Sequence, residues 1–191
     1  NMQIAGKTNP GTMAAIIGMS FEDIQHICVN ASKEDSVVVP ANHNSPNQIV
    51  ISGNISAVKN AMEHARESGA RLVKELNVSG AFHSPLMKSA KVALSEALDD
   101  ININNATIPV YSNVNAKATI QADEIRLNLK NQIDSPVLWT KTISNMKNDK
   151  ATRMVEVGPG KVLKGLTKKI DNDLQCSSIE NLEQINEFDY V

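Results

Sequence analysis

The sequence predicts an α/β fold in two parts, and three observations carry that prediction. Short β-branched runs and helical apolar stripes follow one another through residues 13–79 in the order β-α-β-β-α-β. Strands and helices go on alternating beyond residue 80, which implies a layer of parallel strands with helices around it. Aromatic residues make up only 3% of the 191 residues while 41% are apolar, so the core must be built from Ile, Val, Leu, Met and Ala.

Residues 1–12, NMQIAGKTNPGT, are polar and read as a flexible lead-in. MAAIIG, residues 13–18, is a short apolar run closed by glycine, the pattern of a buried strand. Ser20 and Asp23 form an S-x-x-D helix start, and Phe21, Ile24, Ile27 and Cys28 follow at helical spacing. Val37–Val39 and Ile49–Ile51 are β-branched runs. The Pro-, Asn- and Ser-rich segment between them reads as a long turn. Ile55, Val58, Met62 and Ala65 make one helical stripe, with Gly69 as its stop. RLVKELNVS, residues 71–79, reads as a strand. This order is that of a complete ferredoxin-like unit, with two helices covering one face of a four-stranded sheet.

Ser84 and Pro85 suit the start of a helix carrying Leu86, Ala90, Leu94 and Leu98 on one face. Residues 108–114 read as a strand, 123–133 and 140–148 as helices, and 153–157 as a strand. Gly158-Pro159-Gly160 is a sharp turn into a helix with Val162, Leu163, Leu166 and Ile170. From Asn172 a tail of weak helical character completes the chain. The expected divisions are therefore 1–12, 13–79, 80–171 and 172–191. The second part shows only about two clear strands, fewer than the roughly five or six of an ordinary sheet.

Net charge is −2 with no basic tract, which argues against a nucleic-acid surface. No apolar run approaches the roughly 20 residues that span a bilayer, so no membrane association is expected. Cys28 and Cys176 lie far apart without metal-ligand spacing. They read as reduced thiols of a cytoplasmic protein that binds no metal.

Four histidines compete for a chemical role. His26 and His64 fall off the apolar stripes of their helices and read as solvated side chains. His43 lies in PANHNSPNQ beside Asn42, Asn44 and Gln48, whose amides either bond a polar ligand or satisfy a turn. His83, in GAFHSPLM, sits where the small unit meets the second part, a place where clefts form. It is either a general base or a buried turn residue. A base needs a Ser or Cys to activate, and the nucleophile elbow G-x-S-x-G is absent from these residues. Cys28 lies on the apolar side of its helix. No P-loop, G-x-G-x-x-G, H-E-x-x-H or EF-hand pattern occurs, and GPGK at 158–161 lacks the remainder of a P-loop.

Five motifs stand in register: ANHNSPNQIVISG, VSGAFHSPLM, PVYSNV, SPVLWT and EVGPGKVLKGL. Together, over about residues 11–170, they strongly resemble the malonyl-CoA:acyl carrier protein transacylase family of fatty acid synthesis. The resemblance implies the C-terminal part of an α/β-hydrolase-like large subdomain plus the complete ferredoxin-like small subdomain. It implies transfer of a malonyl group from CoA to the phosphopantetheine thiol of acyl carrier protein, through a serine acyl-enzyme and without a cofactor. His83 matches the family's catalytic histidine, and Gln132 the residue whose carbonyl orients it. Asn42, Asn44 and Gln48 match the loop lining the acyl and pantetheine cleft. Phe82 matches the bulky residue that goes with malonyl over branched units. The family's serine, its carboxylate-binding arginine and its oxyanion-hole glutamine have no counterparts here, so the chain alone is expected to be inactive. A malonyl-selective polyketide synthase domain and a non-catalytic CoA- or carrier-binding module are the alternatives. A monomer is expected.

Overall fold

A computed structural model describes residues 2–188. They form two compact units, one up to Thr142 and one from Ile143.

The first unit opens on α1, Met2–Thr8, followed by β1 (Thr12–Ile17), α2 (Phe21–Ala31), β2 (Val38–Ser45), β3 (Gln48–Gly53), α3 (Ile55–Glu67) and β4 (Leu72–Glu75). The strands form one antiparallel sheet in the order β2-β3-β1-β4, which is the ferredoxin-like arrangement. The period of two along β1 sorts its residues. Ala14 and Ile16 face α2 and α3 in a core with Ile24, Val38, Ile49, Ile51, Val58 and Met62. Met13 and Ala15 face the other way and pack with Ala41, Val50, Leu76, Val78 and Phe82. The predicted cap of α2 is present: the Ser20 side chain accepts from the Asp23 amide and donates to its carboxylate at 2.7 Å. Gly69, with φ 89°, ends α3.

Three expectations need correction here. The flexible lead-in is instead α1, whose Ala5 is buried against Met87 and Ala90. A Cβ on Gly6 would lie 2.4 Å from the Ser79 carbonyl oxygen, so the helix depends on glycine to reach residues 79–80. The long turn between Val39 and Ile49 is instead strand β2 continuing through Pro40 to Ser45, with register shifts at Pro40/Asn42 and His43/Ser45. Proline fits there because β2 is an edge of the four-stranded sheet. The strand expected over 71–79 is confined to Leu72–Glu75, with flanking bonds to β1 from Arg71 N and Leu76 N.

After a 3₁₀ turn at Pro85–Met87 the chain forms α4 (Lys88–Asp99), β5 (Val110–Tyr111), β6 (Ala118–Thr119), α5 (Ala122–Gln132) and α6 (Trp139–Asn148). The strand expected over 108–114 shrinks to β5, paired with β6 in a two-stranded ladder. Residues 80–142 pack against the small sheet within the same unit. Val137 donates to Ala41 O at 2.8 Å and accepts from His43 N at 2.9 Å, adding a bridge to the free edge of β2.

The second unit holds β7 (Arg153–Val157), α7 (Val162–Ile170), β8 (Gln175–Ile179) and α8 (Leu182–Glu187). β7 and β8 pair in parallel, as the alternation of elements requires. The helical character expected in the tail from residue 172 is present as α8, and β8 is a strand before it that the expectation lacked. Gly158 and Gly160 take φ 133° and 90° in the turn before α7. The Glu156 carboxylate accepts from the amides of Leu163 and Lys164, satisfying donors of the first turn of α7. Of the apolar residues on α7, Val162 and Leu163 are 69% and 39% exposed, whereas Leu166 is buried.

Candidate active site

The segment Gly80–Met87 is shaped by close packing. Gly80 and Ala81 are buried, and a Cβ on Gly80 would come within 2.9 Å of Gly6 Cα. The Ser84 hydroxyl, fully buried, donates to Ala81 O at 2.6 Å and accepts from Leu86 N at 3.3 Å. It therefore closes the turn and caps the helical turn that begins at Pro85. Between these anchors His83 adopts φ 57°, a left-handed conformation that costs a non-glycine residue about 1 kcal/mol or more. Such a residue persists only where its surroundings over-determine it.

One of those surroundings is a hydrogen bond between His83 Nδ1 and the backbone carbonyl of Gln132, at 3.0 Å. Gln132 is the last residue of α5, where carbonyls have no partner within the helix. A carbonyl can only accept, so Nδ1 carries the proton and Nε2 keeps a lone pair. The neutral ring is thereby set to take a proton at Nε2, and the same bond persists after the ring is protonated. The ring need not turn between accepting a proton and returning it.

Phe82 precedes His83 and belongs to two apolar clusters. It packs on the back of the small sheet with Met13, Ala41 and Val50, and it meets α1 and α4 through Ala5, Met87 and Ala90. Asn42 is next to Ala41 and bridges Val137 on the β2 edge. Asn44 lies two residues further along β2. Gln48 pairs with Ile17, while the Gly11 end of β1 is the end that approaches Ala81. The structure thus joins His83 to Gln132 directly, and Phe82 and Asn42 to the same packed region. It sets Gln48 at the opposite end of the β1–β3 ladder from Ala81.

His43 stacks on Phe21 at a centroid distance of 4.7 Å, and its backbone oxygen accepts from Thr140 Oγ1. Burial lowers its pKa, with Glu22 opposing. Cys28 is buried in the core of the small sheet, and burial pushes its thiol up to about 12, which removes it as a nucleophile at neutral pH. No group of three or more potential metal ligands occurs among the described residues. No helix among them is long and apolar enough to cross a membrane.

Several contributors carried no local sequence signal. The Gln132 oxygen is a backbone atom, and only the motif register pointed to it. The S-P dipeptide marked Ser84 as a cap, but nothing marked its second bond to Ala81.

Residues 2–181 match the family described as acyl transferase domain. The malonyl CoA-acyl carrier protein transacylase of Haemophilus influenzae is 44% identical over 185 residues, which are 97% of this chain and 59% of that protein. A Vibrio cholerae acyl carrier protein S-malonyltransferase structure superposes with a TM-score of 0.92 at 37% identity, covering 97% of this chain and 60% of that one. A malonyl-transacylase in complex with its type II PKS acyl-carrier protein superposes with a TM-score of 0.91 at 35% identity, again over 97% and 60%. The chain therefore spans about three fifths of the length of the relatives it matches.

Proposed function

Because this chain belongs to the acyl transferase domain family, we propose that it supplies the histidine base and part of the acyl cleft of a malonyl-CoA:acyl carrier protein transacylase. The observation that carries the reading is the bond from His83 Nδ1 to Gln132 O, which leaves Nε2 available as a base. In the proposed reaction Nε2 removes the proton of a serine hydroxyl as the oxygen attacks the malonyl thioester carbonyl. The tetrahedral intermediate collapses with loss of CoA thiolate, which takes the proton from Nε2. The acyl carrier protein thiol then repeats the sequence, giving its proton to Nε2, and the serine oxygen recovers it on leaving. Phe82, beside the base, crowds a branch methyl on the acyl α-carbon and so favours malonyl. Asn42 and Asn44 line the acyl and pantetheine side. Gln48, on the same segment, is assigned with them to the acyl and pantetheine cleft. The substrates are malonyl-CoA and the pantetheine thiol, and the chemistry needs no metal or cofactor. The enzyme acts as a cytoplasmic monomer.

No serine elbow occurs in these 191 residues, so by themselves they should not hold a malonyl group. The test has two arms, both mixed with malonyl-CoA and weighed intact. One is the 191-residue polypeptide. The other is a chimera in which the part of the Haemophilus influenzae relative not spanned by this chain is fused ahead of it. The reading expects no adduct on the first. It expects one malonyl group on the second, passed on to holo-acyl carrier protein. A folded chimera that takes up no malonyl group refutes it.

A further inference from the structure

We propose that the side-chain amide of Gln132 is a positioning group for His83, holding in place the turn that presents its own carbonyl to the ring. The backbone of Gln132 meets His83, while its side chain reaches forward along the chain. Nε2 donates to Ser135 O at 3.1 Å and to Pro136 O at 3.3 Å. Two carbonyl acceptors fix which end of the amide is which, because an oxygen placed there would face two oxygens. The other end, Oε1, is buried and without a hydrogen-bond partner among the described residues. Burying an unmet acceptor is unfavourable. The side chain therefore holds this pose because of its two donated bonds.

Those bonds close a turn that lacks the usual helix stop. α5 ends in Gln132-Ile133-Asp134-Ser135-Pro136, with no glycine to take a left-handed C-terminal conformation, and Ile133 is still helical at φ −61° and ψ −40°. The segment beyond is anchored on two sides. Asp134 pairs with Lys91 of α4 at 2.9 Å, and Val137 bridges β2 through Ala41 and His43. α4 itself follows directly from the turn that carries His83. His83, α4, Lys91, Asp134 and Gln132 thus form a closed loop of contacts. The Gln132 amide is the strut that prevents residues 133–136 from relaxing and carrying the carbonyl away from Nδ1. A shift of about 1 Å would remove the bond that selects the tautomer.

The inference concerns the ring's orientation. It rests on the proposed function only for its catalytic consequence, and its test requires no acyl transfer. In the 191-residue chain labelled with ¹⁵N at histidine, the His83 ring of the wild type is expected as the Nδ1–H tautomer once neutral. Gln132→Met keeps the length and removes both donors. Its ratio of Nδ1–H to Nε2–H should fall about fivefold, the worth of one ordinary hydrogen bond. A folded Gln132→Met chain with the wild-type ratio overturns the proposal, because the amide would then be a turn staple and nothing more. If Gln132→Met does not fold, Gln132→Asn, an amide one methylene short of its acceptors, carries the same expectation and the same refutation. A failed transfer assay with a normal drop in the ratio would overturn the proposed function and leave this inference standing.

Discussion

Replacing Ser84 by alanine should weaken the first unit through a single hydroxyl. That oxygen is fully buried and makes two bonds, to Ala81 O at 2.6 Å and from Leu86 N at 3.3 Å. Loss of the cap costs about 1 kcal/mol. Leaving the Ala81 carbonyl buried without its donor costs a further ~1–2 kcal/mol. The sum, about 2–3 kcal/mol, acts on the turn that holds His83 in its left-handed conformation. Trp139 is the sole tryptophan and belongs to the first unit, so its fluorescence reports unfolding of that unit in urea. At a slope of ~2 kcal/mol/M the midpoint should fall by about 1 M. A midpoint within about 0.2 M of wild type, at unchanged slope, would show that the hydroxyl does not hold the turn.

Other consequences are directly measurable. Burial lowers the His43 pKa below its usual 6.5, so the unfolded chain binds that proton more readily than the folded one. The stability from neutral His43 is present above pH 6.5 and is lost as pH falls through the lowered value. The urea midpoint should therefore drop below pH 6.5, and His43→Gln should flatten that slope. Cys28 should resist a thiol reagent at pH 8 in the native state and react at the unimpeded rate in urea, since burial removes both access and thiolate. Phe82→Ala should cost roughly 2–3 kcal/mol, below the value for a fully buried ring, because Phe82 is half-buried in two clusters. In the transferring chimera the same change should raise the share of methylmalonyl accepted, as read by competition between the two CoA thioesters.

The parts of the fold legible in the sequence were those whose cause is local. The stripe Val58, Met62 and Ala65, the S-x-x-D cap at Ser20 and the glycine at 69 each specify an element within one or two turns of chain, and α2 and α3 stand where they direct. β2 was hidden because Pro40, Asn42 and Asn44 are turn formers by composition. They are strand residues here because one side of β2 pairs with β3 and the other meets Val137, some 95 residues on. α1 has only 7 residues, too few for a periodic signal, and its place depends on Gly6 and Gly80 approaching each other. β8 reads Gln-Cys-Ser-Ser-Ile and takes its register from β7 alone. In the site, the residue types at 82 and 83 were visible. The left-handed turn of His83 was not, because backbone geometry leaves no mark on side-chain identity, and its carbonyl partner at Gln132 was reached only through the register of the five motifs.

His83, oriented by the Gln132 carbonyl, is the proposed base for malonyl transfer. The most direct test of that role is the single-turnover rate of acyl-enzyme formation in the chimera, with His83 intact and as His83→Ala, followed by intact mass after rapid quenching. The rate should fall about 10²–10⁴-fold, the usual contribution of a general base, with the chimera still folded. An unchanged rate in folded His83→Ala would contradict that role and leave His83 as a turn residue only.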